Sequence, residues 1–143
     1  MRALLDTNVI VDVLQRREPR FSDGQKIFYA IANKQIIGCI TTKQAADIHF
    51  FSRKQFSGQE NVAAKARQVI TKLYSLFELI DTLGIDCQNA IAIENNDYED
   101  AIMIESAVRA KLDCIVTRNP DHFKVAAIPV YSPAEFVSIL SNL

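Results

Sequence analysis

Residues 2 to 5 (RALL) form a short apolar run that stops at Asp6, and the positions after it set Val9, Ile10, Val13 and Leu14 on one helical face. A strand followed by an amphipathic helix is the consequence. The same alternation recurs along the chain. Asp23 to Asn33 fits a helix with Ile27, Phe28 and Ile31 on one side, and Gln35 to Ile40 (QIIGCI) reads as a buried strand. Thr41 or Thr42 then caps a helix in which Ala45, Ile48, Phe51 and Gln55 line up at spacings of three and four. Gly58 breaks that helix, and another is expected from about Gln59 to Leu76, before a short FELI strand at 77 to 80. Two helices, Cys87 to Asn95 and Tyr98 to Lys111, are split by an Asn95-Asn96-Asp97 turn. Asp113 to Thr117 and Ile128 to Tyr131 supply the remaining strands, and Pro133 opens a last helix to about Leu140. Strands that alternate with helices and are apolar on both faces build a parallel sheet covered on each side. The class is α/β, and residues 1–143 are expected to form one domain with no internal repeat.

Several function classes fall away on composition. Apolar runs of a few residues are far too short for the roughly 20 that cross a bilayer, so no membrane association is expected. The first stretch carries Asp6 inside its apolar run and no small-residue cleavage site, which makes the cytoplasm the expected compartment. Cys39, Cys87 and Cys114 are odd in number and widely spaced, and are expected to act as small core hydrophobes rather than as a disulfide or zinc framework. The two histidines, His49 and His122, form no helical metal-binding pair, so a metal here is held by oxygen. Net charge is only -1, yet residues 1 to 72 hold 12 Lys and Arg against six Asp and Glu, while residues 73 to 143 hold four against 11. Bulk charge therefore gives no argument for nucleic acid, which has to rest on a local patch.

Ligands of open parallel sheets bind beyond the C-terminal strand ends, where the strand order reverses. Asp6, Thr7 and Asn8 leave the first strand, and Asp47 lies in the first turns of the helix after the second. Asp97, Glu99 and Asp100 open the helix ahead of the DCIVT strand, and Thr117, Arg118, Asn119 and Asp121 leave that strand. Carboxylates gathered in one place repel, and a cation is the usual remedy. Hard oxygen ligands from Asp, without His or Cys, suit Mg²⁺ or Mn²⁺, and such an ion activates water and stabilises charge during phosphodiester hydrolysis. Plainer roles remain open for each residue. Thr7 and Asn8 are able to cap a helix, Asp97 with Asp100 resembles a capping box, Asp47 fits a solvated helix face, and the HFF run at 49 to 51 is expected in the core.

Taken together, LLDTNVIVDVL at 4 to 14, Asp47 after TTKQAA, DYEDAIMIESAV at 97 to 108 and IVTRNPDHF at 115 to 123 resemble, in order and spacing, the motifs of the PIN-domain family. The resemblance covers nearly the whole chain. It implies a three-layer α/β/α fold with a parallel five-stranded sheet in the order 3-2-1-4-5, and a Mg²⁺- or Mn²⁺-dependent endoribonuclease. Many small members are VapC-like toxins held inactive by an antitoxin, so RNA and an antitoxin protein are the expected partners, with a homodimer or higher oligomer. Carried over by position, Asp6, Asp47 and Asp100 are the implied metal ligands and catalytic acids, although Glu is more usual than Asp at the second. Asn119 stands where many members have a fourth acid, which weakens any second metal position. Asp97, Glu99 and Asp121 are candidate substitutes, and Asn8 and Thr117 resemble the supporting polar residues. Lys43, Arg53, Lys54 and Arg118, with Arg16 and Arg17, are the candidate RNA contacts. The departure at Asn119 keeps a second reading open, a catalytically weak PIN domain that binds RNA or serves assembly. A phosphoacceptor receiver domain fits less well, since DTN replaces the adjacent acids after its first strand.

Overall fold

The computed structural model describes residues 1–95 and 97–143. Five strands form one parallel sheet in the order β3-β2-β1-β4-β5: β1 (Arg2–Leu5), β2 (Ile37–Thr41), β3 (Glu78–Ile80), β4 (Cys114–Val116) and β5 (Val130–Tyr131). Helices α1 (Thr7–Leu14), α2 (Phe21–Ala32), α3 (Thr42–Gln55), α4 (Val62–Leu76), α5 (Gly84–Ala90), α6 (Tyr98–Arg109) and α7 (Pro133–Leu140) connect them. The strand order and layering follow the expectation.

β1 runs through the middle with Ala3, Leu4 and Leu5 fully buried. Successive strand residues point to opposite faces, and the core divides accordingly. Ala3 and Leu5 join one cluster with Ile10 of α1, Ile27 of α2, Ile48 of α3 and Phe136 of α7. Leu4 joins another with Met103, Ile104 and Ala107 of α6. Because β2 lies on one side of β1 and β4 on the other, the order reverses at β1, and a cleft opens beyond the ends of β1 and β4.

Several expected boundaries move. The helix expected at Cys87 to Asn95 is α5, which begins at Gly84 and ends at Ala90. Its start lacks a polar cap residue. Leu83 precedes it, and the Leu83 backbone N–H donates to Asp86 Oδ2 at 2.8 Å, so the acid three positions on marks the end instead. The helix expected to run to Lys111 stops at Arg109, where Lys111 takes a left-handed conformation (φ 56) and the Leu112 N–H returns to the Ala107 carbonyl at 3.0 Å. β2 starts at Ile37, since Gln35 is spent on the turn that closes α2, its N–H donating to the Ala30 carbonyl. β5 is only Val130 and Tyr131, because Pro129 has no N–H to give the ladder and contributes its carbonyl to Ile115 instead. Of the expected Asn95-Asn96-Asp97 turn, Asn96 lies outside the described residues. Among the described residues no helix is long and apolar enough to cross a membrane.

Candidate functional site

Asp6 is the residue on which the cleft is built. It follows β1 at the N-cap position of α1, for which Asp6, Thr7 and Asn8 are all candidates in the sequence, but its side chain makes no capping bond. The carboxylate turns instead to β4, where the Thr117 hydroxyl donates to Asp6 Oδ2 at 2.8 Å and the Asp6 N–H donates to the Val116 carbonyl. The two strands at the reversal point are thus tied at the acid itself. Asp6 is 5% exposed, and burial pushes its carboxyl above the usual value even though the Thr117 hydroxyl works the other way.

α3 is docked to the same edge by a fully buried amide. Gln44 accepts from the Thr41 N–H at 2.8 Å, and its Nε2 donates to the Leu5 carbonyl at 2.7 Å and to Thr7 Oγ1 at 3.3 Å. With Thr41 as N-cap this is a complete capping box. One turn on, Asp47 faces the cleft and accepts from Lys43 Nζ at 2.7 Å. The same ammonium lies 3.5 Å from Glu99 Oε2 on α6. Lys43 is held above the usual lysine value: its partial burial opposes the charge, and the bond to Asp47 outweighs it.

α6 brings the third acid. Asp97 caps this helix by accepting from the Asp100 N–H at 3.1 Å, which is one half of the expected capping box. Asp100 does not return the bond, and its carboxylate lines the same cleft as Asp6. Burial, then the charges of Asp97 and Asp6, push the Asp100 carboxyl up to about 6, with His122 opposing. His122 Nδ1 stands 3.4 Å from Asp100 Oδ2, and Asp97, Asp100 and His122 each offer a ligand atom within 4.8 Å of the others.

Asp6, Asp47, Asp97, Glu99 and Asp100 therefore share one open cleft of about 290 Å³ with Asn8 and Lys43. Negative charge crowded this way, on hard oxygen donors, fits a divalent cation. Other expected residues sit apart. The Asn119 side chain is exposed and does not line the cleft, while its N–H donates to Thr117 Oγ1 at 3.1 Å. Asp121 is exposed, pairs with Lys124 at 2.8 Å, which keeps its carboxyl low, and borders an adjoining cavity of about 360 Å³ with Asp97 and His122. Arg53 and Lys54 are exposed in the last turn of α3, and Lys54 borders a groove with Arg17 and Phe51. Arg118 turns inward, its Nη1 3.2 Å from Asp12 Oδ2.

Three features escaped the sequence. Asp12 is buried and meets both Arg118 and Arg17, the latter at 3.8 Å. Gln44 was signalled only by the T-x-x-Q spacing of a capping box. The HFF run, expected in the core, is partly outside it: Phe50 is 63% exposed and lines the cleft beside Phe51, their rings edge to face at 5.9 Å. Phe50 lies on the same helical face as Asp47, three positions on, and so inherits the cleft.

Comparison with known proteins agrees with this layout. No curated protein matches the chain in sequence. Solved structures do match in fold. A VapBC2 complex from Rickettsia felis bound to a promoter DNA fragment has 15% identity and a TM-score of 0.65, covering 92% of this chain and 98% of that one. A DNA-bound VapBC from Salmonella typhimurium has 17% identity and a TM-score of 0.68, covering 93% and 98%. A toxin-antitoxin complex from Klebsiella pneumoniae has 22% identity and a TM-score of 0.64, covering 92% and 97%. The sequence model of the PIN domain matches residues 2–121, a span that begins with β1 and holds every acid of the cleft. With the 3-2-1-4-5 sheet and its acids gathered at the strand reversal, the chain belongs to the PIN-domain family.

Proposed function

We propose that this protein is a Mg²⁺- or Mn²⁺-dependent endoribonuclease, the toxin of a toxin-antitoxin pair. The observation that carries the reading is the gathering of Asp6, Asp47, Asp97, Glu99 and Asp100 in one open cleft at the strand reversal, where burial raises the carboxyls of Asp6 and Asp100. Paired acids kept above their usual values belong to sites more often than to surfaces. The solved VapBC complexes of the same fold support the antitoxin as partner. Exposed Leu83, Ile85 and Ile91, on and beside α5, support a homodimer.

In this mechanism Asp6 and Asp100 would hold a divalent ion, which would supply polarisation of a phosphoryl oxygen and acidification of nearby water. Thr117 fixes the rotamer of Asp6 through its hydroxyl, and Gln44 fixes α3 against the end of β1. Asp47, whose carboxylate is held by Lys43, would help to place the ion through water and orient that water. Asn8, Asp97 and Glu99 complete the polar wall, and Arg53 and Lys54, exposed at the end of α3, would offset the phosphate charge of RNA, whereas Arg118 is engaged by Asp12. His122 and Asp121 border the adjoining cavity.

Incubation of the purified protein with cellular RNA in Mg²⁺, Mn²⁺ or EDTA, followed by end mapping, tests the activity. Internal cuts in either metal and none in EDTA are expected. Cuts that survive EDTA overturn the metal dependence, and RNA binding without cuts in any metal establishes the binding-module reading. The exposed Phe50 makes a further expectation about substrate. An aromatic face beside the acids stacks an unpaired base, at about 1–3 kcal/mol per base. Phe50→Ala is therefore expected to weaken binding of single-stranded RNA in EDTA by about tenfold and to leave duplex RNA unchanged, as read by fluorescence anisotropy. Equal loss for both strand forms would place Phe50 outside the base path.

A further inference from the structure

We propose that the Lys43 ammonium is a tethered cation that fills the second cation position of the acidic cleft, so that the protein takes up one exchangeable divalent ion. The inference rests on the metal-dependent reading above and adds to it which part of the cleft the ion uses.

An ordinary i,i+4 pair joins two side chains of one helix and faces water. Lys43 does more, because its Nζ meets Asp47 Oδ2 at 2.7 Å on its own helix and Glu99 Oε2 at 3.5 Å on α6, across the cleft. Its side chain is 25% exposed, against 72% for Glu99, so the charge is drawn inward rather than displayed. Among the described residues that line the cleft it is the only cation, set against Asp6, Asp47, Asp97, Glu99 and Asp100. The acids thus fall into two groups. Asp47 and Glu99 share the ammonium, whereas among the described residues Asp6, Asp97 and Asp100 have no lysine or arginine within ion-pair distance, and Asp100 has only His122.

Charge arithmetic then favours one ion. A divalent ion at Asp6 and Asp100 answers carboxylates that repel each other. A second ion at Asp47 has to expel Lys43 from both partners, and the expelled ammonium stays attached a few ångströms away, where it repels the newcomer. The lysine is also a permanent resident, present at any metal concentration. As a compact point charge with three donors it offsets charge and contacts phosphate, but it does not replace the ion that activates water.

Isothermal titration with Mn²⁺ tests this on the intact protein. Wild type is expected to take up one ion, and Asp6→Asn to lose it. Lys43→Met removes the charge and keeps the length. It is expected to reveal a second site, at least about tenfold tighter than any uptake there by wild type, and the double variant with Asp47→Asn is expected to lose that site again. Lys43→Gln serves as the second uncharged variant, and Lys43→Arg, which keeps the charge, is expected to hold a single site. Two ions in wild type, or one in Lys43→Met and Lys43→Gln at unchanged affinity, overturn the role of Lys43 and leave the nuclease reading standing. No Mn²⁺ uptake by wild type overturns both.

Discussion

Asp6→Asn and Asp100→Asn are each expected to lower metal-dependent RNA cleavage at least about a hundredfold while leaving the metal-free protein as stable as wild type or more so. Loss of a ligand charge removes the reason for an ion to bind, and so the activity. The stability side follows from the same crowding. Asp100 titrates at about 6 in the folded protein against a usual 3.8, so between those values the folded state keeps a proton that the unfolded chain has lost. The contribution of Asp100 to stability is therefore fully present below about pH 4, falls as the pH rises through about 6 and then levels off. The difference between those two values amounts to about 3 kcal/mol. Solvent entering the open cleft screens this to about 1 kcal/mol, or a melting temperature about 3 °C higher for Asp100→Asn at pH 7 in EDTA. In Mn²⁺ the ranking reverses, since only wild type gains from the bound ion. Calorimetry at pH 4 and pH 7, with and without Mn²⁺, separates these effects. A variant that cleaves like wild type, or that melts lower in EDTA at pH 7, would remove that acid from the site.

What was legible in the sequence follows from how local each signal is. β1, α1 and the Asp6 between them could be read from one turn of chain, as could the Pro133 start of α7, to which the structure adds a capping box of Ser132 with Glu135. The acids could be placed at strand ends because a parallel sheet puts every C-terminal end on one edge. The strand order came with the family resemblance and not from periodicity. Asp12 shows the limit. In VIVDVL it reads as the polar side of a helix, and the arginine that makes its burial tolerable lies 106 positions later. Lys43 is a similar case: its spacing to Asp47 is visible, but the approach of Glu99 depends on how α6 meets α3. Phe50 was placed in the core because aromatic neighbours usually are buried, while its exposure depends on which helical face Asp47 turns to the cleft.

The longest lever on the site lies outside it, at the contact of α5 with α6. Asp86, with its side chain 2% exposed, accepts from Arg109 Nε at 2.8 Å and Nη2 at 3.0 Å and from the Ser106 hydroxyl at 3.0 Å, and Arg109 also donates to the Asp81 carbonyl. Burial opposes ionisation of Asp86, and the bonds from Arg109, Leu83 and Ser106 outweigh it, holding its carboxyl below the usual value. Arg109→Met removes one partner and leaves a buried charge, a change that costs about 3 kcal/mol. In the variant burial acts with less opposition and moves Asp86 upward, so the cost is greatest at pH 7 and shrinks as the pH falls and the carboxyl is protonated in both states. Urea unfolding at pH 7 and pH 4 reads this directly. The double change Asp86→Leu with Arg109→Met is expected to recover much of the loss, since apolar packing replaces a buried pair at little net cost. Cleavage is expected to fall in Arg109→Met as well, because α6 carries Asp97 and Asp100 at its other end and loses the bond that fixes it to α5. Unfolding that is equally easy at both pH values, or a double variant no more stable than the single one, would show that Asp86 does not depend on Arg109 for its charge.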